Sequence, residues 1–261
     1  MSGTMRNVVW CLPAMSYFGT LAKRVLGWEL VVGGPVGDCD TCYIVGMYDP
    51  PTYDYTLRMT HRAKKRVIHW CGTDVQMLDD PTLLPEAEHL ADHQGLVDEL
   101  LAKGVEAREV MWPTNHHFEV TPLPAKPRIA CYLGTDPIKY GGDIFAAIEE
   151  AMPEYDFIAY QFGEYDAEGM KRLVDESSIY IRLTAHDGSA ASAREFMEAG
   201  RRAITTNGIP YAVKVNRHDL TGIIAAIRKA AKQTEPDYDA AAFWHAQNSD
   251  ERYKGELDGI A

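Results

Sequence analysis

Long apolar runs are missing from this chain of 261 residues. No stretch approaches the roughly 18–20 consecutive apolar residues that cross a bilayer, which excludes a membrane-spanning helix. The opening Met-Ser-Gly-Thr-Met-Arg-Asn passes straight into a strand-like run without a secretory cleavage pattern, so a cytoplasmic protein is expected. Positive charge is scarce as well: 26 Lys and Arg stand against 38 Asp and Glu, a formal net charge of −12. That balance argues against non-specific affinity for nucleic acid or an anionic membrane, because phosphate surfaces attract cations. Cysteine is sparse and odd in number, five in all, and offers no disulfide framework. Cys39-Asp-Thr-Cys42 has the spacing of a redox motif or half a zinc site, but it leads into a strand and no second pair completes a tetrahedron. No glycine fingerprint of the dinucleotide type follows the first strand of either half.

What is present is a repeated rhythm. The length suits two compact α/β domains of about 120 residues each. In the first half, strand-like runs at 7–12, 29–32, 42–47, 66–70 and 106–111 alternate with helical patterns at 16–26 and 94–103, with a short helix or strand starting at 85. Pro113, Pro122, Pro124 and Pro127 then stiffen a stretch without periodicity. The second half restarts with strands at 128–133, 156–160, 179–183 and 203–206 and helices at 142–152, 167–176, 189–200 and 219–232. An aromatic tail, 238–257, also reads as helical. Such alternation predicts parallel sheets covered by helices. The expected domains are 1–115 and 128–237, joined by a linker at 116–127, with 238–261 as a terminal helix able to cross back to the first domain.

The most informative segment is 180–207. An apolar strand ends in the turn Thr184-Ala-His-Asp-Gly188, a helix of small residues starts at Ser189 and closes at Gly200, and a strand leads out through Thr205-Thr206-Asn207. Asp187 and Glu195 stand eight positions apart, about 12 Å along one side of the element at helical rise. The positive amino end of the helix suits an anion, such as the phosphates of a ligand lying along it. The plain alternative is a β-α-β unit with surface acids.

This segment resembles the donor-site signature of GT-B glycosyltransferases, especially the retaining family four: strand, loop, acid, Gly, small residues, Glu, then Gly five positions later. Asp187-Gly188 stands where that family usually has Glu-Gly. The resemblance implies an α/β fold of two Rossmann-like domains facing each other across a cleft. It implies transfer of a sugar, with retention, from a nucleotide-diphosphate sugar to an acceptor hydroxyl, without metal or other cofactor. Glu195 would hold the ribose, and Asp187 with the neighbouring Gly188, Ser189 and Thr184 would meet the donor sugar. Lys139, in Gly134-Thr-Asp-Pro-Ile-Lys139-Tyr-Gly141, is similar to the lysine that meets the diphosphate. The first strand ends Leu12-Pro-Ala-Met-Ser-Tyr-Phe-Gly19, without the double glycine many relatives place there.

Other residues are read on their own chemistry. Arg182 lies in an apolar strand, where an unpaired charge is costly, so it should meet a donor phosphate or an acidic residue. His69-Trp-Cys-Gly-Thr-Asp74-Val looks like a cleft loop of some GT-B proteins. There His69 could orient the acceptor or the donor sugar, and Asp74 could act in catalysis or cap a helix. His116 and His117 read as solvent-facing. Arg58, Arg62, Lys64, Lys65 and Arg66 form either a solvated helix face or a docking patch for an anionic acceptor or membrane surface. The acceptor stays open among saccharide, lipid-linked sugar and modified nucleic acid. An epimerase or hydrolase of nucleotide sugars, and a non-catalytic sugar-nucleotide-binding module, are the competing readings.

Overall fold

The computed structural model describes residues 6–49, 53–114 and 116–260; residue 115, the expected domain edge, lies outside them. The chain divides into two units, Met1–Pro113 with Ser249–Ala261, and Thr114–Asn248. In the first, strand β1 (Asn7–Cys11), helix α1 (Ser16–Leu26), β2 (Glu29–Val32) and β3 (Cys39–Val45) are followed by α2 (Asp54–Thr60), β4 (Ala63–Trp70) and α3 (Thr73–Gln76). Then come β5 (Glu88–Ala91), α4 (Gln94–Ala102) and β6 (Arg108–Glu109). All strands pair in parallel, in the order β2-β1-β3-β4-β5-β6.

Both faces of this sheet are covered, which is why its central strands are almost continuously apolar. Val8 and Trp10 enter one core with Ile44, Ile68 and Trp70, while Val9 and Cys11 enter the other with Tyr43, Val45 and Val67. This is the period of two in which successive side chains point to opposite faces. Cys39 and Cys42 are buried in the first of these cores, and burial raises both thiol pKa values, as expected of inert packing thiols.

The second unit runs β7 (Arg128–Tyr132), α5 (Gly142–Ala151), β8 (Asp156–Tyr160), α6 (Ala167–Glu176), β9 (Ile179–Arg182), α7 (Ala191–Glu198), β10 (Arg202–Thr205), β11 (Val213–Lys214), α8 (Leu220–Ala230) and α9 (Tyr238–Gln247). Its sheet, also parallel, has the order β11-β10-β9-β7-β8. Ile129, Cys131, Ile179, Ile181 and Ile204 form one core with Phe145, Ile148, Ile223 and Ile227 from the helices. The tail expected as one helix breaks at Asn248. There the Ser249 hydroxyl accepts the Arg252 amide at 3.2 Å, an amino-terminal cap that starts α10 (Asp250–Glu256) in the first unit. The short strand Val213–Lys214 has no counterpart in the sequence reading, because two residues leave no periodicity to read. Among the described residues, no helix is long and apolar enough to cross a membrane.

Helix α7 is shorter than 189–200 at both ends. Ala190 precedes it at φ 51, and Gly200 at φ 80 closes it, with the Gly200 amide on Met197 O and the Arg201 amide on Phe196 O, each at 2.9 Å. That double bond is the Schellman stop, which favours glycine. A Cβ at Gly200 would also lie 2.6 Å from Pro236 Cβ.

Candidate functional site

In the second sheet β7 is flanked by β8 on one side and β9 on the other. The connections leaving β7 and β9 diverge there, and such a switch point opens a crevice beyond the carboxyl ends of the strands. Two loops meet at it, 133–141 after β7 and 183–190 after β9. Gly141, at φ 81, lets them touch: a Cβ there would sit 2.9 Å from the Leu183 carbonyl oxygen. The Lys139 carbonyl accepts the Ala185 amide at 3.3 Å and Arg217 Nη1 at 2.8 Å, while Arg217 Nη2 donates to Ile138 O at 2.7 Å. Three loops are therefore tied at one peptide group.

Arg182 closes β9 beneath this knot. Of the two partners its burial required, the structure supplies the acid: Arg182 makes a two-pronged ion pair with Asp187, Nη2 to Oδ1 at 2.8 Å and Nε to Oδ2. Nη1 donates to Ser192 Oγ at 3.1 Å, and the guanidinium lies 4.7 and 5.0 Å from the ring centres of Tyr132 and Tyr140. Burial alone would lower its pKa; Asp187 and the surrounding tyrosines outweigh that and hold it well above the ordinary value, so the charge persists.

Around the pair, Thr184, Gly188, Ser189 and Glu195 are buried. The Thr184 hydroxyl donates to His186 O at 2.8 Å, Gly188 O accepts Asn207 Nδ2 at 2.9 Å, and Ser189 O accepts Arg194 Nε at 3.1 Å. Glu195 is close enough to Tyr160 to add to the rise that burial and Tyr180 impose on that phenol's pKa. The Lys139 ammonium has no carboxylate within ion-pair distance among the described residues, and it lies 5.9 Å from the Tyr140 ring centre. Beyond β9, β10 and β11 a cleft of about 500 Å³ is lined by Thr184, Ala185, Thr206, Lys214, Val215, Asn216, Arg217 and His218. A larger hollow, about 640 Å³, lies in the first unit at the amino ends of β5 and β6. That is the wrong end of a parallel sheet for a ligand site, and its size does not outweigh its place.

His69 and Asp74 do not join this group; both belong to the first unit, where their side chains are fully buried. His69 stacks on Trp112 at 4.2 Å between ring centres and meets the Tyr43 hydroxyl through Nδ1; Tyr43 in turn bonds Tyr253 of α10 at 2.8 Å. Burial pushes its pKa down to about 3, so it is a neutral packing ring. The Asp74 carboxylate accepts the amides of Gly72 at 2.8 Å, Cys71 and Val75 at 3.1 Å, and Met47 at 3.2 Å. Burial raises its pKa to about 6 against the pull of those amides. Of the cations read as a solvated face or a docking patch, Arg62 grips Asp38 with two bonds of 2.8 Å, Lys64 lies 2.7 Å from Asp40 and Lys65 3.5 Å from Glu88.

One network escaped the sequence reading. The Glu198 carboxylate, fully buried, lies 3.1 Å from His117 Nδ1 and 3.0 Å from His245 Nδ1, and accepts Asn248 Nδ2 at 2.8 Å. Asn248 Oδ1 accepts Arg194 Nη1 at 2.9 Å. His117 faces solvent as expected, with its side chain 44% exposed, while its Nδ1 also reaches the end of α7. The available signal was the charge of α7 itself: Arg194, Glu195 and Glu198 on a helix between two buried strands need partners. Among the described residues no group of three or more His, Cys, Asp or Glu is placed to hold a metal ion.

Known structures with the same architecture are plentiful. Sucrose-phosphate synthase from Thermosynechococcus elongatus superposes with a TM-score of 0.75 at 10% identity, over 98% of each chain. The fold is that of the GT-B glycosyltransferases. A glycosyltransferase from Rickettsia africae shares this GT-B fold with a TM-score of 0.67 at 12% identity, covering 99% of this chain and 98% of that one. TarM gives 0.58 at 11% identity over 83% of this chain and 53% of its own, so the chain spans about half of TarM. Neither a family model nor a curated protein matches the sequence. Likeness at these identities carries the fold; chemistry has to be argued from the site.

Proposed function

We propose that the chain transfers a sugar from a nucleotide-diphosphate sugar to an acceptor hydroxyl, with the second unit as the donor-binding unit. The anomeric carbon exchanges its bond to the diphosphate for one to the acceptor oxygen, with retention, and the hydroxyl proton is released. One observation carries the reading: the segment with Asp187, Gly188, Glu195 and Gly200 folds as strand, turn, helix and strand at the switch point of a parallel sheet. In this reading Glu195 holds the ribose and the Lys139 ammonium meets the diphosphate. Thr184, Gly188 and Ser189 surround the sugar. Arg182 is a positioning residue that fixes Asp187.

A second reading, a non-catalytic sugar-nucleotide-binding module, is favoured by that same ion pair, since it already occupies the Asp187 carboxylate. A thermal-shift screen against uridine, guanosine and adenosine diphosphates and their sugars tests both, because a ligand that binds only the native state raises its melting point. One of these ligands should stabilise the chain, and Glu195→Gln should weaken it about tenfold, as loss of a charge-assisted hydrogen bond does. Absence of any shift across the screen rejects both readings. Release or transfer of labelled sugar by wild type, lost in Asp187→Asn, separates turnover from binding alone.

A further inference from the structure

The cleft beyond β9, β10 and β11 carries a charge opposite to that of the chain. Lys214, Arg217 and His218 are among its eight lining residues, and no acid is, whereas the chain bears a formal net charge of −12. Lys214 ends β11 in register with Thr205, which is itself in register with Arg182. One row across three strands therefore runs from the buried ion pair to the exposed ammonium. Exposed lysines divide in this chain: Lys64, Lys126 and Lys171 each lie 2.7 Å from a carboxylate, while Lys23, Lys229, Lys232 and Lys254 have none within ion-pair distance among the described residues. Lys214 has no ion-pair partner among the described residues.

The surroundings keep that cation unneutralised. Asp219, the nearest acid along the chain, accepts the Gly222 amide at 2.9 Å and caps α8. Asp143 reaches only Arg217, at 4.0 Å. Arg217 is itself fixed by the carbonyls of Ile138 and Lys139, so its charge stands at the wall without freedom to fold away. The hydroxyl protons of Thr184 and Thr206 are committed to His186 O and Thr184 O. The side-chain donors available to a ligand are thus the cations and the Asn216 amide, not the hydroxyls, a set that suits a charged oxyanion.

We propose that this cleft binds a phosphate monoester on a sugar-sized molecule, held by Lys214 and His218 against Arg217. Resting on the transfer reading above, that molecule is the acceptor, and its phosphate occupies a site separate from the donor diphosphate. The volume exceeds what a bare phosphate fills and leaves room for an attached ring.

Calorimetry on the full chain tests this with three probes: inorganic phosphate, glucose 6-phosphate, and the nucleoside diphosphate that gives the largest thermal shift. Wild type should bind both phosphates. Lys214→Ala, at an exposed position, should weaken both about tenfold, the worth of one charge-assisted hydrogen bond, with Lys214→Arg restoring them and the nucleotide affinity unchanged in both variants. Equal loss of nucleotide binding would overturn the proposal by making the cleft part of the donor site. Failure of wild type to bind phosphate, or unchanged binding by Lys214→Ala, also overturns it. Lys214-dependent phosphate binding in a chain that takes no nucleotide supports the anion cleft and defeats the transfer reading alone.

Discussion

The two sheets wind alike. The order β2-β1-β3-β4-β5 of the first unit is matched by β8-β7-β9-β10-β11 in the second, so each has a switch point beside its first strand. In the first unit the loops after β3 and β4 spend their polar groups on themselves. Asp74 gathers the amides of Met47, Cys71, Gly72 and Val75, and His69 is stacked and bonded within aromatic rings. In the second unit the loops after β7 and β9, counterparts of those after β1 and β3, hold a paired arginine and acid with the Lys139 ammonium, and the loops after β9, β10 and β11 border a cationic cleft. Topology offers a crevice in both places; loop chemistry decides whether it is filled by the protein or left for a ligand.

That contrast can be attacked, starting where the effect is largest. Arg182→Ala takes the arginine away from Asp187, whose side chain is only 12% exposed, and should cost about 3 kcal/mol in urea unfolding, together with any turnover. A loss below about 1 kcal/mol would mean the pair behaves as a solvated one, and the second corner would lose its distinction. Gly141→Ala places a Cβ at φ 81 and 2.9 Å from the Leu183 carbonyl. It should cost about 2 kcal/mol from left-handed strain and crowding, and weaken nucleotide binding through displacement of the 133–141 loop. An unchanged melting point would show that the two loops separate easily.

The first corner is better probed by pH. His69 titrates at about 3 in the fold against an ordinary value of 6.5. Between those values the unfolded chain takes up a proton that the folded chain refuses, so stability falls as pH drops through the window. Asp74 acts in the opposite sense: its carboxyl titrates at about 6 against an ordinary 3.8, so stability falls as pH rises between them. His69→Phe keeps the stack, removes only the first effect, and should flatten the acid-side loss in melting temperature while leaving nucleotide binding alone. Unchanged acid sensitivity would show that His69 is hydrated. Least of all should change in Arg62→Ala, which breaks an exposed pair with Asp38 worth under about 1 kcal/mol; a larger drop in melting temperature would show that this pair is not behaving as a solvated one.

Much of this architecture was legible because buried parallel strands leave apolar runs with turn residues at their ends. Residues 29–32, 156–160 and 167–176 are delimited by sequence as the structure has them. Strand order was not legible, since β9 and β7 join residues as distant along the chain as Ile179 and Ile129. At the site, burial of Arg182 demanded a partner, and either a phosphate or an acid met that demand; only the return of the 183–187 turn selects Asp187. For His69 and Asp74 the sequence left two outcomes open, because a polar motif after a strand looks the same whether its groups face a ligand or one another. The Glu198 network was hidden by distance: its partners lie 81, 47 and 50 positions away.

The Lys139 carbonyl has one more consequence. It is shared by the amide of the turn after β9 and by the arginine that walls the cationic cleft. A ligand that draws the lysine loop toward itself must stretch or release the Arg217 bond, and an anion that recruits Arg217 must loosen the lysine loop. Thermodynamic linkage then obliges each occupant to alter the other's affinity by the same factor. Two substrates meeting at this edge would sense one another through a single oxygen atom.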